Sequence, residues 1–166
     1  MSWKIRPSEE QDLSHLQAIY DEGRNFQLAT GNLSQWAPGY PGQAQIVSDY
    51  DNQYLIVLEG EEQQILAVMA LIPGQDPTYL KIEGAWLNDQ PYLTIHRIAA
   101  RTSVKGAGRA LIEWAQEQAD NIRIDTHEDN QPMIKLLEKL NFKYCGVIYL
   151  ANGHPRNAYH YSRKKE

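Results

Sequence analysis

The chain has 166 residues, 42% of them hydrophobic and 22% charged, with a formal net charge of −5 at pH 7. This length and composition are typical of one globular domain with a sizeable core, so we expect a single domain over residues 1–166. The acidic balance argues against nucleic-acid binding and mildly favours cationic partners.

Two further classes of protein are disfavoured by the sequence. No apolar run approaches the length of a membrane span, and the first ten residues lack the apolar core of a signal peptide, so we expect no membrane association. Cys145 is the only cysteine, so an internal disulfide is impossible and a reducing cytoplasm is the simplest location. The histidines show no ligand spacing typical of a metal site, and we predict none.

The N-terminal third predicts a strand and two helices. Residues 3–6 alternate between apolar and polar and indicate a short strand. Ser8 and Gln11 fit a capping box that opens an amphipathic helix running to about Ala29. A second, shorter helix is expected over residues 43–50.

The loop between these helices, residues 32–43, carries two large aromatic side chains, Trp36 and Tyr40. They are equally compatible with packing of the loop onto the domain and with a pocket wall. A hairpin is then expected from strands over residues 53–59 and 65–72, followed by an irregular insertion over residues 73–91.

A strand over residues 92–100 leads through a basic loop into a helix that opens with two glycines. The start of a helix has backbone N–H groups without partners in the helix and a partial positive charge. Gly106 and Gly108 remove side chains that would keep a ligand from the backbone, and Lys105 and Arg109 add positive charge. The pattern indicates a phosphate or pyrophosphate site, although a tight strand-to-helix turn would also explain the glycines.

The last third predicts a strand over residues 122–126, a helix, and two final strands over residues 142–150 and 157–163. Asn130 or Asp129 can cap the helix. The helix that connects the strand at residues 92–100 to the next one should make a right-handed crossover, so these two strands should be parallel.

Three phosphate-binding families have a glycine motif of this kind. A P-loop needs Gly-Lys-Ser/Thr, whereas here Gly108 is followed by Arg109 and Ala110. The dinucleotide-binding fingerprint requires a third glycine where this chain has Leu111. Asp125 does stand at about the right distance to be the acidic residue of that fingerprint. The dinucleotide interpretation therefore remains open as a weak alternative.

The run HRIAARTSVKGAGRALIEWA resembles the acetyl-CoA motif of the GNAT superfamily of N-acetyltransferases, Gln/Arg-x-x-Gly-x-Gly/Ala after a strand. Ser103 and Val104 depart from that motif. A second family pattern, Asn-x-x-Ala followed by Leu-Tyr-x-x-x-Gly-Phe, resembles Asn130-Gln131-Pro132-Met133 and the LLEKLNF that follows. The predicted order of elements, β-α-α-β-β-β-α-β-α-β-β, also matches this family over nearly the whole chain.

The resemblance implies an α/β (α+β) fold with a mixed, mostly antiparallel sheet, a central splayed pair of parallel strands, and helices on both faces. It implies acetyl transfer from acetyl-CoA to a primary amine of a small molecule or protein, with a small-molecule or peptide amine as the partner. The residues that it places at acetyl-CoA are Ile98, Ala99, Ala100, Val104, Lys105, Gly106, Ala107, Gly108, Arg109, Ala110, Asn130 and Met133.

His96 is the candidate general base, because imidazole has a suitable intrinsic pKa and some family members carry Glu or His at this place. Glu83, or a water chain ending at it or at Asp89, is the alternative. No general acid is assigned, since Leu137 stands where many members have Tyr. The residues expected on the acceptor side are Trp36, Tyr40, Glu83 and Trp86.

The departures at Ser103 and Leu137 leave a second function open. A domain of this kind could hold CoA as a sensor or scaffold without turnover. A homodimer is the default assembly that we expect.

Overall fold

The computed structural model describes residues 2–163 as a mixed eight-stranded sheet with α-helices on both faces. In chain order the elements are β1 (Lys4–Pro7), α1 (Leu13–Ala29), α2 (Gln43–Asp51), β2 (Leu55–Glu59), β3 (Ile65–Pro73), β4 (Glu83–Gly84), β5 (Leu93–Ala100), α3 (Ala107–Gln118), β6 (Asn121–Thr126), α4 (Gln131–Lys139), β7 (Lys143–Tyr149) and β8 (Pro155–Ser162). The strands lie in the order β1-β2-β3-β5-β6-β8-β7-β4.

Within residues 2–163 the parallel pair is β5–β6, and the other strand pairs are antiparallel. This arrangement confirms the predicted mixed, mostly antiparallel sheet. The parallel ladder is short, because it begins at Leu93 and Ile122 and ends at Ile95 and Ile124. Beyond that point β5 and β6 no longer pair with each other, although β5 still pairs with β3 and β6 with β8, and this opens the predicted gap at the centre of the sheet.

A β-bulge lies in β5 beside this gap. Val68 of β3 pairs with Ala99 and Ala70 pairs with His96, so the two residues at positions 97 and 98 face one residue of β3. Arg97 has a φ of +49°, a left-handed conformation that is uncommon for a residue with a side chain. The buried Tyr20 hydroxyl donates a hydrogen bond to the Arg97 carbonyl oxygen at 2.8 Å and supports this conformation.

Each face of the sheet has its own apolar core. On one face α3 and α4 cover the central strands through Leu111, Ile112, Ala115 and Leu137. On the other face α1 and α2 cover β2, β3 and the end of β5 through Leu16, Ile19, Tyr20 and Ile46. No helix of the described residues is both long enough and apolar enough to cross a bilayer.

Two local predictions were wrong in detail. The capping box at the start of the first helical segment joins Glu9 and Asp12, where Asp12 Oδ2 accepts the Glu9 N–H at 2.7 Å, and not Ser8 and Gln11. The insertion at residues 73–91 is not wholly irregular, because it contains a 3₁₀ turn and the two-residue strand β4, which pairs with β7.

Gly23 lets α1 approach the central strand closely. A Cβ added to Gly23 would lie 2.9 Å from the Cβ of Ala99, which is too close for two methyl groups. We therefore expect Gly23→Ala to lower the free energy of unfolding by about 1–3 kcal/mol, measured by urea denaturation, despite the better helix propensity of alanine. Adding Ala99→Gly should recover much of the loss. A Gly23→Ala protein more stable than wild type would contradict this contact.

Candidate active site

The gap between β5 and β6 holds two adjoining cavities, which share Gln27, Ile98, Asn130 and Met133. The first, which we call the groove, has a volume of about 300 Å³ and lies towards the start of α3. Six residues that the sequence predicts at the cofactor line the groove: Ile98, Ala99, Ala100, Val104, Asn130 and Met133.

The glycine motif predicts an anion site at the start of α3. Gly106 is the N-cap with a φ of +89°, and its carbonyl accepts the Ala110 N–H at 2.9 Å. The N–H groups of residues 107–109 precede that bond and have no partner within the helix. A Cβ built on Gly108 meets no heavy atom within 4 Å, so the space beside Gly108 in this first turn is open.

The two basic side chains beside this helix start, Lys105 and Arg109, are exposed. Arg109 donates to Glu113 Oε2 at 3.1 Å, and an exposed pair of this kind is worth little, so its guanidinium can still reach a ligand. Ala107 is buried in the core, so its contribution at this end is its backbone. The residues at the helix start therefore fit a phosphate group.

Glu22 of α1 fixes the loop between β5 and α3. Its carboxylate accepts the Thr102 N–H at 2.7 Å, the Thr102 hydroxyl at 2.5 Å and an Arg101 N–H at 3.1 Å. The bonds from Thr102, and to a smaller extent Arg101, lower the pKa of Glu22. The sequence did not indicate this role of Glu22, which fixes the loop and also occupies Arg101.

Asn130, predicted at the cofactor, caps α4 and is already hydrogen-bonded. Its Oδ1 accepts the Met133 N–H at 3.3 Å, and its Nδ2 donates to Gln35 Oε1 and Thr126 Oγ1, both at 3.1 Å. These bonds hold the helix start against the end of β6. Asn130 therefore shapes the wall that the two cavities share.

The second cavity, which we call the polar cavity, has a volume of about 260 Å³. Trp36 and Tyr40 line it, with ring centroids 6.4 Å apart in an edge-to-face arrangement. Five charged or titratable side chains also line it: Asp76, His96, Arg97, Asp125 and Arg156.

His96 is hydrogen-bonded to a carboxylate within this cavity. Its Nε2 lies 2.7 Å from Asp76 Oδ2. Burial raises the pKa of Asp76, but the bonds from His96 and Thr78 outweigh it and lower this pKa to about 2. Asp76 is therefore ionised at neutral pH and can only accept, which places the proton of a neutral His96 on Nε2 and leaves the Nδ1 lone pair free for chemistry.

Arg97 ties the bulge in β5 to the opposite helix and loop. It makes a two-point ion pair with the buried Asp49 of α2, with distances of 2.7 and 2.9 Å, and donates to the Tyr40 hydroxyl at 3.2 Å. Removing one partner of a buried pair typically costs about 3–5 kcal/mol, so the pair holds the Arg97 guanidinium firmly in place. The bond from Arg97 to the Tyr40 hydroxyl then anchors Tyr40 in the cavity wall.

The structure does not bring Glu83 and Trp86 to this cavity. Glu83 is exposed on β4 and accepts the Tyr149 hydroxyl at 2.9 Å. Trp86 packs in a separate apolar cluster and donates to the Tyr79 carbonyl at 3.0 Å. The pairing of β4 with β7 carries this segment to the far edge of the sheet, and Asp89 lines a different depression beside Trp86.

Sequence reasoning missed Asp76 and Arg156. Asp76-Pro77-Thr78 has the pattern of a capping residue followed by proline, and Asp76 Oδ1 does accept the Thr78 N–H at 2.9 Å. That signal could have indicated the cap but not the bond to His96, which is 20 residues away in the sequence. No local signal marks Arg156.

Comparisons with known proteins agree with this architecture. The family model described as the acetyltransferase (GNAT) family matches residues 16–142. A GNAT-family acetyltransferase from Streptococcus agalactiae 2603 is 32% identical, with 98% of this chain and 96% of that chain covered and a TM-score of 0.87. A comparison with curated protein sequences gave no match.

Two more distant structures share the fold. A GNAT-family acetyltransferase from Listeria monocytogenes 4b F2365 is 16% identical, with 96% of this chain and 94% of that chain covered and a TM-score of 0.72. The ribosomal-protein-S18-alanine N-acetyltransferase from Escherichia coli is 15% identical, with 99% and 96% covered and a TM-score of 0.65. These matches leave no support for a dinucleotide-binding fold, and the chain belongs to the GNAT family of acetyltransferases.

Proposed function

We propose that the protein transfers the acetyl group of acetyl-CoA to a primary amine of a small molecule or peptide. The observation that carries this proposal is the shared wall of the groove and the polar cavity, since an open helix start adjoins one and His96 lines the other. Family membership supports acetyl transfer in general.

The groove would hold the cofactor. Its apolar lining and the small side chains of Ala99 and Ala100 permit a close approach of a flexible arm to the unpaired edge of β5. The first-turn amides of α3 would bind the pyrophosphate, with Lys105 and Arg109 beside it. When bound, acetyl-CoA would supply the thioester whose acetyl carbon the amine attacks.

His96 would take the proton of the amine. A primary amine is mostly protonated at neutral pH and must become neutral before its nitrogen can form a bond to the acetyl carbon. The Nδ1 lone pair of His96 would accept the proton, and Asp76 would hold the ring and stabilise the imidazolium. A backbone N–H near Ile98, beside the bulge, would stabilise the oxyanion of the tetrahedral intermediate. As that intermediate collapses, the nitrogen would release its second proton to solvent, the carbon–sulfur bond would break and the thiolate would leave.

The thiolate would be protonated by solvent. Leu137, at the position where many family members carry the tyrosine acid, is fully buried and has no proton to give.

The test combines two measurements on one protein sample. Calorimetric titration with acetyl-CoA should give saturable binding, and thiol release should rise above the no-amine rate with at least one member of an amine panel. Failure to bind acetyl-CoA would refute the proposal. Binding without release across the panel would favour a CoA-binding sensor.

A further inference from the structure

Arg156 is a buried cation in the wall of the polar cavity. It is 6% exposed, and its guanidinium donates to the backbone oxygens of Pro155 at 2.8 Å and Gln35 at 3.1 Å. Across residues 2–163, no carboxylate lies within ion-pairing distance of it. Burial lowers the pKa of Arg156, and the negative charge of Asp125 opposes that shift.

A buried guanidinium normally has a carboxylate or phosphate partner, because neutral carbonyls compensate only part of the lost hydration. The guanidinium has five N–H donors, and two of its bonds go to backbone oxygens. The remaining donors suit the two-point binding of a carboxylate that arrives with a ligand.

Asp125 is the matching anion in the same cavity. Its Oδ2 accepts the buried Tyr79 hydroxyl at 2.7 Å, and the described residues include no cationic side chain within ion-pairing distance of it. The remaining charges in the lining are already matched, Asp76 by His96 and Arg97 by Asp49. The cavity therefore offers one cationic and one anionic anchor to a ligand.

We propose that the acetyl acceptor is an amino acid or a related amine that carries a carboxylate. Arg156 would bind the carboxylate, and Asp125 would attract the ammonium group before His96 removes a proton. A volume of about 260 Å³ suits a ligand of this size, and Trp36 and Tyr40 offer an apolar wall for its carbon chain. This inference rests on the proposed function and adds the chemical class of the acceptor.

The first experiment uses pairs of amines that differ only in the carboxylate. Thiol release from acetyl-CoA would be measured for glycine and methylamine, β-alanine and ethylamine, phenylalanine and phenethylamine, and lysine and cadaverine. Rates would be compared both per total amine and per unprotonated amine, because the two members of a pair differ in amine pKa. In at least one pair we expect the member with the carboxylate to have a kcat/KM about 10- to 100-fold higher.

The second experiment tests the anchor. Arg156→Gln should bring that ratio close to one, whereas Arg156→Lys, which keeps the charge, should retain part of it. The control is Arg163→Gln, because Arg163 is an exposed arginine paired with Asp120, and this variant should keep the wild-type ratio. If the glutamine variant fails to fold, the wild-type ratio and the lysine variant still decide the question.

The outcomes separate this inference from the proposed function. Acetylation that is indifferent to the carboxylate, or a preference that survives Arg156→Gln, overturns the inference and leaves amine acetylation in place. Binding of acetyl-CoA with no acetylation of any amine overturns both.

Discussion

Replacing His96 by alanine is expected to lower kcat/KM for acetyl transfer by about 10²- to 10⁴-fold, with the Kd for acetyl-CoA close to that of wild type. The expected loss is large because His96 lines the polar cavity and has its Nε2 bonded to Asp76, so that Nδ1 is the proton acceptor that we propose. Thiol release under saturating acetyl-CoA measures the first quantity, and calorimetry measures the second.

Asp76→Asn is the sharper companion variant. Asparagine can still accept the Thr78 N–H and cap the 3₁₀ turn at Pro77–Tyr79. Its amide can also donate to Nε2 of His96 and move the imidazole proton to Nδ1. We expect kcat/KM to fall by about 10-fold or more without a loss of folding. The control is His154→Ala, an exposed turn residue, which should behave as wild type.

A His96→Ala protein with unchanged kcat/KM would place the base elsewhere. Glu83→Gln then becomes the informative variant. Because Glu83 is exposed on β4 and outside the polar cavity, we expect this change to leave kcat/KM within about twofold of wild type.

The second large effect is expected from Gly108→Glu, which should weaken acetyl-CoA binding by at least about 100-fold. The new carboxylate would lie in front of the first-turn amides of α3 and repel the phosphates. The fold should tolerate the change, because a Cβ at this position meets no neighbour within 4 Å and a negative charge at a helix start is favourable. Calorimetry and thermal unfolding, measured side by side, separate lost binding from lost structure.

Gly108→Ala is the matched control. It adds only a methyl group, and the family motif accepts alanine at this place, so acetyl-CoA binding should remain close to wild type. Its helix should also gain up to about 1 kcal/mol from the better propensity of alanine. Wild-type affinity in the glutamate variant would mean that the phosphates bind elsewhere.

The centre of the fold could be predicted because its signals are local. Gly106 and Gly108 between a strand and an amphipathic helix predict the turn, and the helical crossover predicts the parallel pair β5–β6 that the structure contains. The small residues at the end of β5 belong to the same local pattern, and they line the groove. In these places each residue type has only a few structural explanations.

The rest of the site depends on contacts between residues that are distant in the sequence. The bond between His96 and Asp76, the ion pair between Arg97 and Asp49, and the Glu22 contacts to the loop before α3 each join separate elements. Composition and periodicity carry no information about such partners. For the same reason, the pairing that moves Trp86 away from the polar cavity could not be predicted.

The short ladder between β5 and β6 would make the proposed cofactor a structural component as well as a reactant. In the described part of the chain, three residue pairs make up the strand pairing that joins the four strands β1-β2-β3-β5 to the four strands β6-β8-β7-β4. A molecule bound in the groove would bridge this seam and resist its opening. At 100 times its Kd, such a ligand adds about 2.7 kcal/mol to the free energy of unfolding, so thermal resistance should follow the supply of acetyl-CoA.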